Sequence, residues 1–198
     1  MKNFAFYNPV RICFGKGEIA KLSALIPLNA NILLTYGGGS IKKNGIYDQV
    51  MNALEGFKIV EFGGIEANPH YETLMKAVAL VKDQKIDFLL AVGGGSVLDG
   101  TKFIAAAALY EGSDPWEILA RRGKVKIERA LPIGTVLTLP ATGSEMNCTA
   151  VVTRWETKDK LAFDSEHVFP SSPFSIRRLF FRFPKSRWQT ESSMHLFM

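Results

Sequence analysis

The amino-acid sequence predicts an α/β fold in which a parallel sheet is flanked by helices. Three observations carry this prediction. Short apolar runs alternate with helix-length segments along the first 170 residues, the run at residues 86–92 is apolar almost throughout, and two GGGS strings each follow such a run. Alternating strands and helices are typical of βαβ units, and strands buried on both faces of a sheet are continuously apolar.

The predicted elements follow one another in a regular order. Predicted strands cover residues 30–36, 58–62, 86–92 and 130–140. A helix is expected between the first two strands, from Ser40 to near Gly56. The next helix covers residues 70–85, because Leu74, Val78 and Val81 recur at helical spacing. An alanine-rich helix follows the second GGGS string.

Composition and cysteine usage indicate a globular protein of the cytoplasm. The chain has 198 residues, of which 47% are hydrophobic, and no apolar run approaches the roughly 20 residues of a membrane span. Its first residues lack the apolar segment of a signal peptide. Cys13 and Cys148 lie far apart with no metal-ligand spacing, so we expect reduced thiols and neither a disulfide nor a metal site.

The positive charge is confined to the end of the chain. Residues 171–198 contain five basic residues and one acidic residue, which is +4 of the total net charge of +5. Residues 1–170 are therefore nearly neutral, which disfavours a nucleic-acid or membrane partner. The end segment also has no helical or alternating period, and we expect it to form neither a helix nor a strand.

The second GGGS string lies where a strand is expected to turn into a helix. In "LLAVGGGSVLDG", Ser96 is expected to be the N-cap and Asp99 to lie in the first helical turn. Glycines at such a turn allow backbone N–H groups to approach a phosphate, and the helix dipole favours an anion. The same pattern also fits a tight turn with a serine cap, and the spacing alone does not decide between the two.

A third loop of small residues follows the strand at residues 130–140. In "VLTLPATGSEMN", the hydroxyls of Thr138, Thr142 and Ser144 lie close together in sequence. Because the carboxyl ends of parallel strands meet at one edge of the sheet, these loops are expected to lie together there. Three such loops favour a nucleotide cleft over three unrelated turns.

Five motifs in order resemble the iron-containing alcohol dehydrogenases, in particular their NADPH-dependent aldehyde reductase and butanol dehydrogenase branch. They are "RICFGKGEIAKL", "TYGGGSIKKNGIYDQV", "FGGIEANPHYETL", "LLAVGGGSVLDGTKFIA" and "LTLPATGSEMN". The resemblance covers about residues 3–170. It implies a Rossmann-like dinucleotide-binding domain over residues 1–170, followed in the family by an all-helical domain that carries a divalent metal, iron or zinc.

The resemblance also implies a reaction and the residues that hold the cofactor. The family transfers hydride reversibly between NAD(P)H and an aldehyde or alcohol, with the metal polarising the substrate oxygen. Gly94, Gly95 and Ser96 would hold the pyrophosphate, with Asp99 at the nicotinamide end. Thr138, Thr142 and Ser144 would line the cleft from the adenine and ribose side to the nicotinamide ribose, and Lys160 would reach the ribose hydroxyls.

The first GGGS string bears on cofactor preference. NAD-preferring relatives commonly have an aspartate at the position of Gly39, where it binds the ribose 2′-hydroxyl. Here glycine leaves room for a 2′-phosphate, Ser40 can donate a hydrogen bond, and Lys42 or Lys43 can neutralise the charge. The resemblance thus implies NADP preference, with Gly37, Gly38, Gly39, Ser40 and Lys43 at the adenosine end. A solvated start of a helix is the alternative interpretation of the two lysines.

The family's metal ligands, one aspartate and three histidines, are not recovered in this sequence. We expect His70 and His167 to be surface or loop residues, and His195 lies in the basic tail. Catalytic and metal-binding residues are therefore expected to be missing, which makes the chain by itself an inactive cofactor-binding fragment. A homodimer is possible, as is typical of the family.

The basic tail at residues 171–198 is interpreted as an out-of-frame segment. Codons for "WQTESSMHLFM", read two nucleotides later, permit "ANGIVDAFVH", in which both alanines are forced. That string resembles the family's metal-binding helix, with aspartate and histidine four residues apart. The hypothesis is a frameshift near Pro170. Two alternatives to the dehydrogenase remain: a non-catalytic nucleotide-binding module, and a related polyol or glycerol-phosphate dehydrogenase.

Overall fold

The fold is described from a computed structural model, which covers Asn3, residues 7–120 and 125–170, and the backbone of residues 179–181. Six strands form one parallel sheet in the order β1-β8-β5-β4-β2-β3. Their bounds are β1 Ile12–Phe14, β2 Asn31–Tyr36, β3 Lys58–Phe62, β4 Phe88–Gly94, β5 Ile133–Leu139 and β8 Leu179–Phe181. A separate antiparallel hairpin consists of β6 Thr149–Arg154 and β7 Asp159–Asp164.

Helices cover both faces of the sheet. They are α1 Ser40–Lys43, α2 Ile46–Ala53, α3 Tyr71–Asp83, α4 Gly95–Ala108 and α5 Glu117–Ala120, with 3₁₀ turns at Glu18–Ala24, Ser144–Met146 and Glu166–Val168. One apolar core packs α3, α4 and the hairpin against one face, and a second core packs α2 and the first 3₁₀ turn against the other. In the parts of the chain described here, no helix is long and apolar enough to cross a membrane.

The expected parallel α/β fold is confirmed, and the strand at residues 58–62 has the predicted bounds. The helix expected from Ser40 to Gly56 is instead two helices. Gly45 has φ of 74°, in the left-handed region, so the chain turns between α1 and α2. The β6–β7 hairpin was not predicted.

The prediction that residues 171–198 contain no strand is wrong for Leu179–Phe181. These residues form β8, which lies between β5 and β1 and pairs with both in parallel. Two of these three residues are phenylalanines, which are enriched in strands. The other residues of the basic tail lie outside the described part of the chain.

The sheet reverses its winding direction between β2 and β4. After β2 the chain adds β3 on one side, and it then returns to place β4 on the other side of β2. In open parallel sheets, the crevice at the carboxyl ends of two such strands is the usual place for a ligand. The two GGGS strings begin at the ends of these two strands.

Candidate functional site

The two glycine strings are brought together at the switch point of the sheet. Tyr36, the last residue of β2, pairs with Val92 near the end of β4. Gly37 lies against the start of α4, because a Cβ at this position would come within 3.6 Å of the Val97 side chain. The sequence prediction that both strings lie at one edge of the sheet therefore agrees with the geometry.

The second string forms the start of α4. Gly94 precedes the helix and has no side chain with which to cap the first N–H groups. Gly95 is packed so closely against Thr142 that a Cβ would collide with the threonine side chain. Only glycine permits this approach, so the N-terminus of α4 and the third loop form one continuous surface.

Two details of the predicted start of α4 are wrong. Ser96 is the second residue of the helix and not its N-cap, and its hydroxyl accepts a hydrogen bond from the Asn68 N–H at 3.4 Å. Asp99 is the fifth residue and so lies beyond the first turn. Because the strand β4 extends to Gly94, the helix begins at Gly95, directly after the strand, and no separate capping residue intervenes.

Asp99 joins α4 to the third loop. Its carboxylate accepts the Ser144 hydroxyl at 2.6 Å and the Val151 N–H at 3.1 Å. Thr142 stabilises the same loop, since its hydroxyl oxygen accepts the N–H of Ser144 at 3.3 Å. The loop is thereby held in a fixed position against the helix.

Lys160 reaches the opposite wall of the cleft from β7. Its ammonium group donates to the side-chain oxygen of Asn68 at 2.7 Å. Asn68 has φ of 58°, a left-handed conformation that asparagine adopts more readily than most residues. The Asn68 loop, the start of α4 and β7 therefore surround one space.

This space is a cleft of about 340 Å³, within the size range of small-molecule sites. Six of the predicted residues line it: Gly95, Ser96, Asp99, Thr142, Ser144 and Lys160. Five lining residues were missed: Asn68, Pro69, Asn147, Thr149 and Val151. The Asn-Pro pair is a turn signal that could have been used, and Asn147 ends the third loop, of which only the hydroxyls were considered. Thr149 and Val151 lie in the hairpin that was not predicted.

The remaining predicted residues lie outside the lining of this cleft. Thr138 is half-buried within β5, and Gly94 precedes the helix. The first string, with Gly37, Gly38, Gly39, Ser40 and Lys43, lies at the end of the neighbouring strand β2. A Cβ at Gly38 or Gly39 would meet no atom within 4 Å, so the space beside these glycines is open.

The two lysines of α1 have different surroundings. The Lys42 ammonium lies 3.2 Å from the Glu61 carboxylate and over the rings of Tyr36 and Tyr47. Burial opposes ionisation of Glu61, but hydrogen bonds from Tyr47, Tyr36 and Lys42 hold its pKa below the usual range. Lys43 is exposed and has no ion pair or hydrogen bond with the described residues. Of the two, Lys43 is the cation available to a ligand.

The two histidines within the described residues do not form a metal centre. His70 precedes α3, lies 3.6 Å from Glu66 and stacks on Trp155. His167 lies in the last 3₁₀ turn. In residues 7–120 and 125–170, no group of three or more histidine, cysteine, aspartate or glutamate side chains is placed to hold a metal ion. The donor set present here thus does not fit a divalent metal.

The fold and the cleft define a Rossmann-like α/β domain with a candidate site at the carboxyl end of β4. The sequence model of the iron-containing alcohol dehydrogenases matches residues 9–173, so the chain belongs to that family.

Two similar proteins are an aldehyde reductase and a butanol dehydrogenase. The chain is 63% identical over 171 residues to the NADPH-dependent aldehyde reductase YqhD of Escherichia coli, covering 86% of this chain and 44% of the relative. It is 53% identical over 179 residues to the probable NADH-dependent butanol dehydrogenase 1 of Bacillus subtilis, covering 89% and 45%. The chain therefore spans less than half the length of these relatives.

Two solved structures of dehydrogenases and reductases share this fold. The crystal structure of Escherichia coli YqhD matches with a TM-score of 0.84 and 59% identity, over 90% of this chain and 45% of that one. NADH-dependent butanol dehydrogenase A of Thermotoga maritima matches with a TM-score of 0.83 and 44% identity, over 91% and 44%. The expected family and fold class are both confirmed.

Proposed function

We propose that this chain binds a nicotinamide dinucleotide, with NADPH preferred over NADH, in the cleft at the start of α4. The observation that carries the proposal is the position of the cleft. It lies at the carboxyl end of β4, one of the two strands that flank the switch point of the parallel sheet, against the N-terminus of a 14-residue helix. Glycines, hydroxyls and one lysine converge there, a donor set that fits an anionic nucleotide.

The pyrophosphate is assigned to the start of α4. The N–H groups of Gly95 and Ser96 belong to the first turn, where no helical carbonyl accepts them, and the helix dipole adds partial positive charge. Lys160 lines the same cleft and supplies a full positive charge beside the ribose hydroxyls. Gly94 contributes no side chain, which leaves the approach to the backbone open.

The nicotinamide end is assigned to Asp99 and the third loop. Both Asp99 oxygens already accept one hydrogen bond each, and a carboxylate has further lone pairs for a ligand hydroxyl. Thr142 and Ser144 line the same wall. Thr138, within β5, is assigned to the side of the adenine and its ribose.

NADPH preference is supported by the first glycine string and its neighbours. Gly38 and Gly39 leave open space, Ser40 can donate a hydrogen bond, and Lys43 is a cation without an ion pair among the described residues. The relatives do not decide the question, because the aldehyde reductase is NADPH-dependent and the butanol dehydrogenase is described as NADH-dependent. The preference therefore rests on these residues.

The complete enzyme is proposed to reduce aldehydes to alcohols reversibly, with hydride supplied by the bound NADPH. The family also implies a divalent metal that polarises the substrate oxygen when bound. The described residues do not fit that metal, so no step is assigned to it in this chain. We propose that the chain alone binds cofactor without turnover, because it spans less than half the length of the enzymes it matches.

The tail after residue 170 is proposed to be an out-of-frame segment of a longer dehydrogenase. If so, a single-nucleotide insertion or deletion near Pro170 restores the aspartate and histidine of the family's metal-binding helix. Sequencing the gene tests this directly. If no such insertion or deletion restores this motif, the frameshift is refuted.

A lysine-to-methionine variant tests the cofactor assignment. Lys160→Met removes the charge at the cleft, and we expect NADPH binding to weaken by about tenfold or more, the effect of losing one charge-assisted hydrogen bond. Lys158→Met is the matched control, because Lys158 lies two residues away and packs over the exposed Trp155 ring. Fluorescence of the reduced nicotinamide measures binding. Equal affinities of the two variants would contradict the assignment of Lys160.

A non-catalytic nucleotide-binding module is the second candidate. It is favoured by the lack of a metal-ligand cluster in the described residues. An assay of NADPH oxidation with an aldehyde, with and without added Fe²⁺ or Zn²⁺, tests the module. Metal-dependent turnover would assign the chain to the enzyme class and rule out the module, whereas binding without turnover is expected for the module and for the dehydrogenase fragment alike.

A further inference from the structure

Lys102 is a buried cation on α4, one turn beyond Asp99. Its side chain is 0% exposed, which is rare for lysine, and it does not line the cleft. Four oxygens surround its ammonium group: Ser144 O at 2.6 Å, Thr149 O at 2.8 Å, Asn147 Oδ1 at 2.9 Å and Ser144 Oγ at 3.0 Å. All four belong to the segment that forms one wall of the cleft.

The Ser144 hydroxyl connects this cation to Asp99. Asp99 accepts the Ser144 hydroxyl hydrogen at 2.6 Å, because an ionised carboxylate can only accept. The same hydroxyl oxygen therefore has lone pairs free to accept from Lys102. The result is a continuous chain of hydrogen bonds from the buried ammonium, through a serine, to the carboxylate that faces the cleft.

The removal of Lys102 would leave this wall without its central donor. Ser144, Asn147 and Thr149 all line the cleft, and Lys102 hydrogen-bonds each of them from behind. No backbone ladder holds Ser144–Asn147, which forms a single 3₁₀ turn and its end. The distance between this segment and α4 is thus set by two side chains of the helix, Asp99 and Lys102.

We propose that Lys102 is a positioning residue for the cofactor cleft, which fixes the Ser144–Thr149 wall and the Asp99 carboxylate at the distance the nicotinamide half requires. It does not touch the ligand itself. This inference rests on the proposed function, because the ligand is the dinucleotide assigned there. It adds Lys102, which contacts the residues that line the cleft but does not line it itself.

The electrostatic surroundings of Lys102 are consistent with this role. Burial lowers the pKa of its ammonium to about 8, while the negative charges of Asp99, Cys148 and Glu145 oppose the decrease. Glu145 is itself buried, and its Oε2 has no hydrogen-bond partner among the described residues. Asp99, Glu145 and Cys148 are the titratable groups that face Lys102.

The test compares two methionine variants of the whole chain. Lys102→Met keeps the length of the side chain but donates no hydrogen bond, whereas Lys76→Met changes an exposed lysine of α3. We expect Lys102→Met, shown to be folded by circular dichroism, to weaken NADPH binding by about tenfold or more. Lys76→Met should leave NADPH binding unchanged.

A fragment of the cofactor distinguishes positioning from a general loss of structure. Adenosine 2′,5′-bisphosphate lacks the nicotinamide half, so Lys102→Met should alter its binding by less than about twofold. An equal loss for both ligands, or unchanged NADPH binding, would overturn the inference. If the unsubstituted chain binds no NADPH, the proposed function is contradicted and this inference falls with it.

A pH series covers the case in which Lys102→Met does not fold. It uses Cys148→Ser, which removes the thiol that interacts electrostatically with Lys102. As the pH rises from about 7 to 9.5, deprotonation of Lys102 should weaken NADPH binding relative to the bisphosphate. A constant ratio of the two affinities would overturn the inference.

Discussion

At the scale of single residues, the lysines near the cleft differ in what surrounds each ammonium group. Lys42 forms an ion pair with Glu61, and Lys160 donates a hydrogen bond across the cleft to Asn68. Lys102 is buried and donates to oxygens of the third loop. Lys43 has no ion pair with the described residues. The sequence alone indicated two candidate cations in α1, and only the position of Glu61 on the neighbouring strand separates them.

Gly39 is the residue where the cofactor preference can be tested. Its φ of 86° is left-handed, so any side chain adds strain, and Gly39→Asn is therefore the matched control for Gly39→Asp. We expect the aspartate to weaken NADPH binding by about tenfold or more relative to asparagine, because its charge repels the 2′-phosphate. NADH binding should be similar in both variants. An unchanged NADPH-to-NADH ratio in calorimetric titrations would contradict the assignment.

The buried Lys102 gives the fold a defined pH dependence. Its folded-state pKa of about 8 lies below the ordinary 10.5, so between these values the unfolded chain holds a proton that the folded chain does not. Stability contributed by this residue therefore rises with pH through that window and is lost as the pH falls through 8.

Chemical denaturation of the unsubstituted chain and Lys102→Met measures this contribution. From pH 7 to 9.5, the unsubstituted chain should gain about 2 kcal/mol of unfolding free energy relative to the variant. Groups remote from Lys102 titrate alike in both proteins and cancel in the difference, and Cys148→Ser in both proteins removes the interacting thiol. A difference that stays constant or falls with pH would show that the folded-state pKa is not lowered.

At the scale of elements, α4 is the part of the fold that brings the site together. Its first turn contacts the first glycine string, its second turn holds the third loop through Asp99, and its third holds the same loop through Lys102. The sequence predicted this helix because an alanine-rich run follows the second glycine string. The position of Ser96 was wrong because strand and helix are joined without an intervening cap.

The contact between α4 and the third loop can be tested at Gly95. A Cβ there would collide with Thr142, whereas a Cβ at Gly38 would meet no atom within 4 Å. We expect Gly95→Ala to cost about 1–3 kcal/mol of unfolding free energy and to weaken NADPH binding, because the loop must move. Gly38→Ala is the control and should change stability by less than about 0.5 kcal/mol. Equal denaturation midpoints would contradict the close approach.

At the scale of the whole molecule, the sheet order explains why distant segments of sequence form one cleft. The alternation of strands and helices was sufficient to predict a parallel α/β fold and the edge at which the loops meet. The β6–β7 hairpin was missed because its residues were interpreted only through the family resemblance. It contributes Thr149, Val151 and Lys160 to the cleft. Local sequence patterns could therefore not place these three residues there.

The end of the chain was the least predictable region. Residues 179–181 complete the sheet between β5 and β1 although the surrounding segment is basic and aperiodic. Strand pairing depends on which edges are open, and this information is not local to the sequence. The family resemblance predicted the cofactor domain, and the chain matches less than half of its relatives' length.

Calorimetric titration of the purified chain with NADPH and with NADH, each in the absence of added metal, tests whether the cleft at the start of α4 is a cofactor site. The cleft described here predicts metal-independent binding of both, with NADPH bound more tightly. If a chain shown to be folded by circular dichroism binds neither dinucleotide, the cleft at the start of α4 is not a cofactor site.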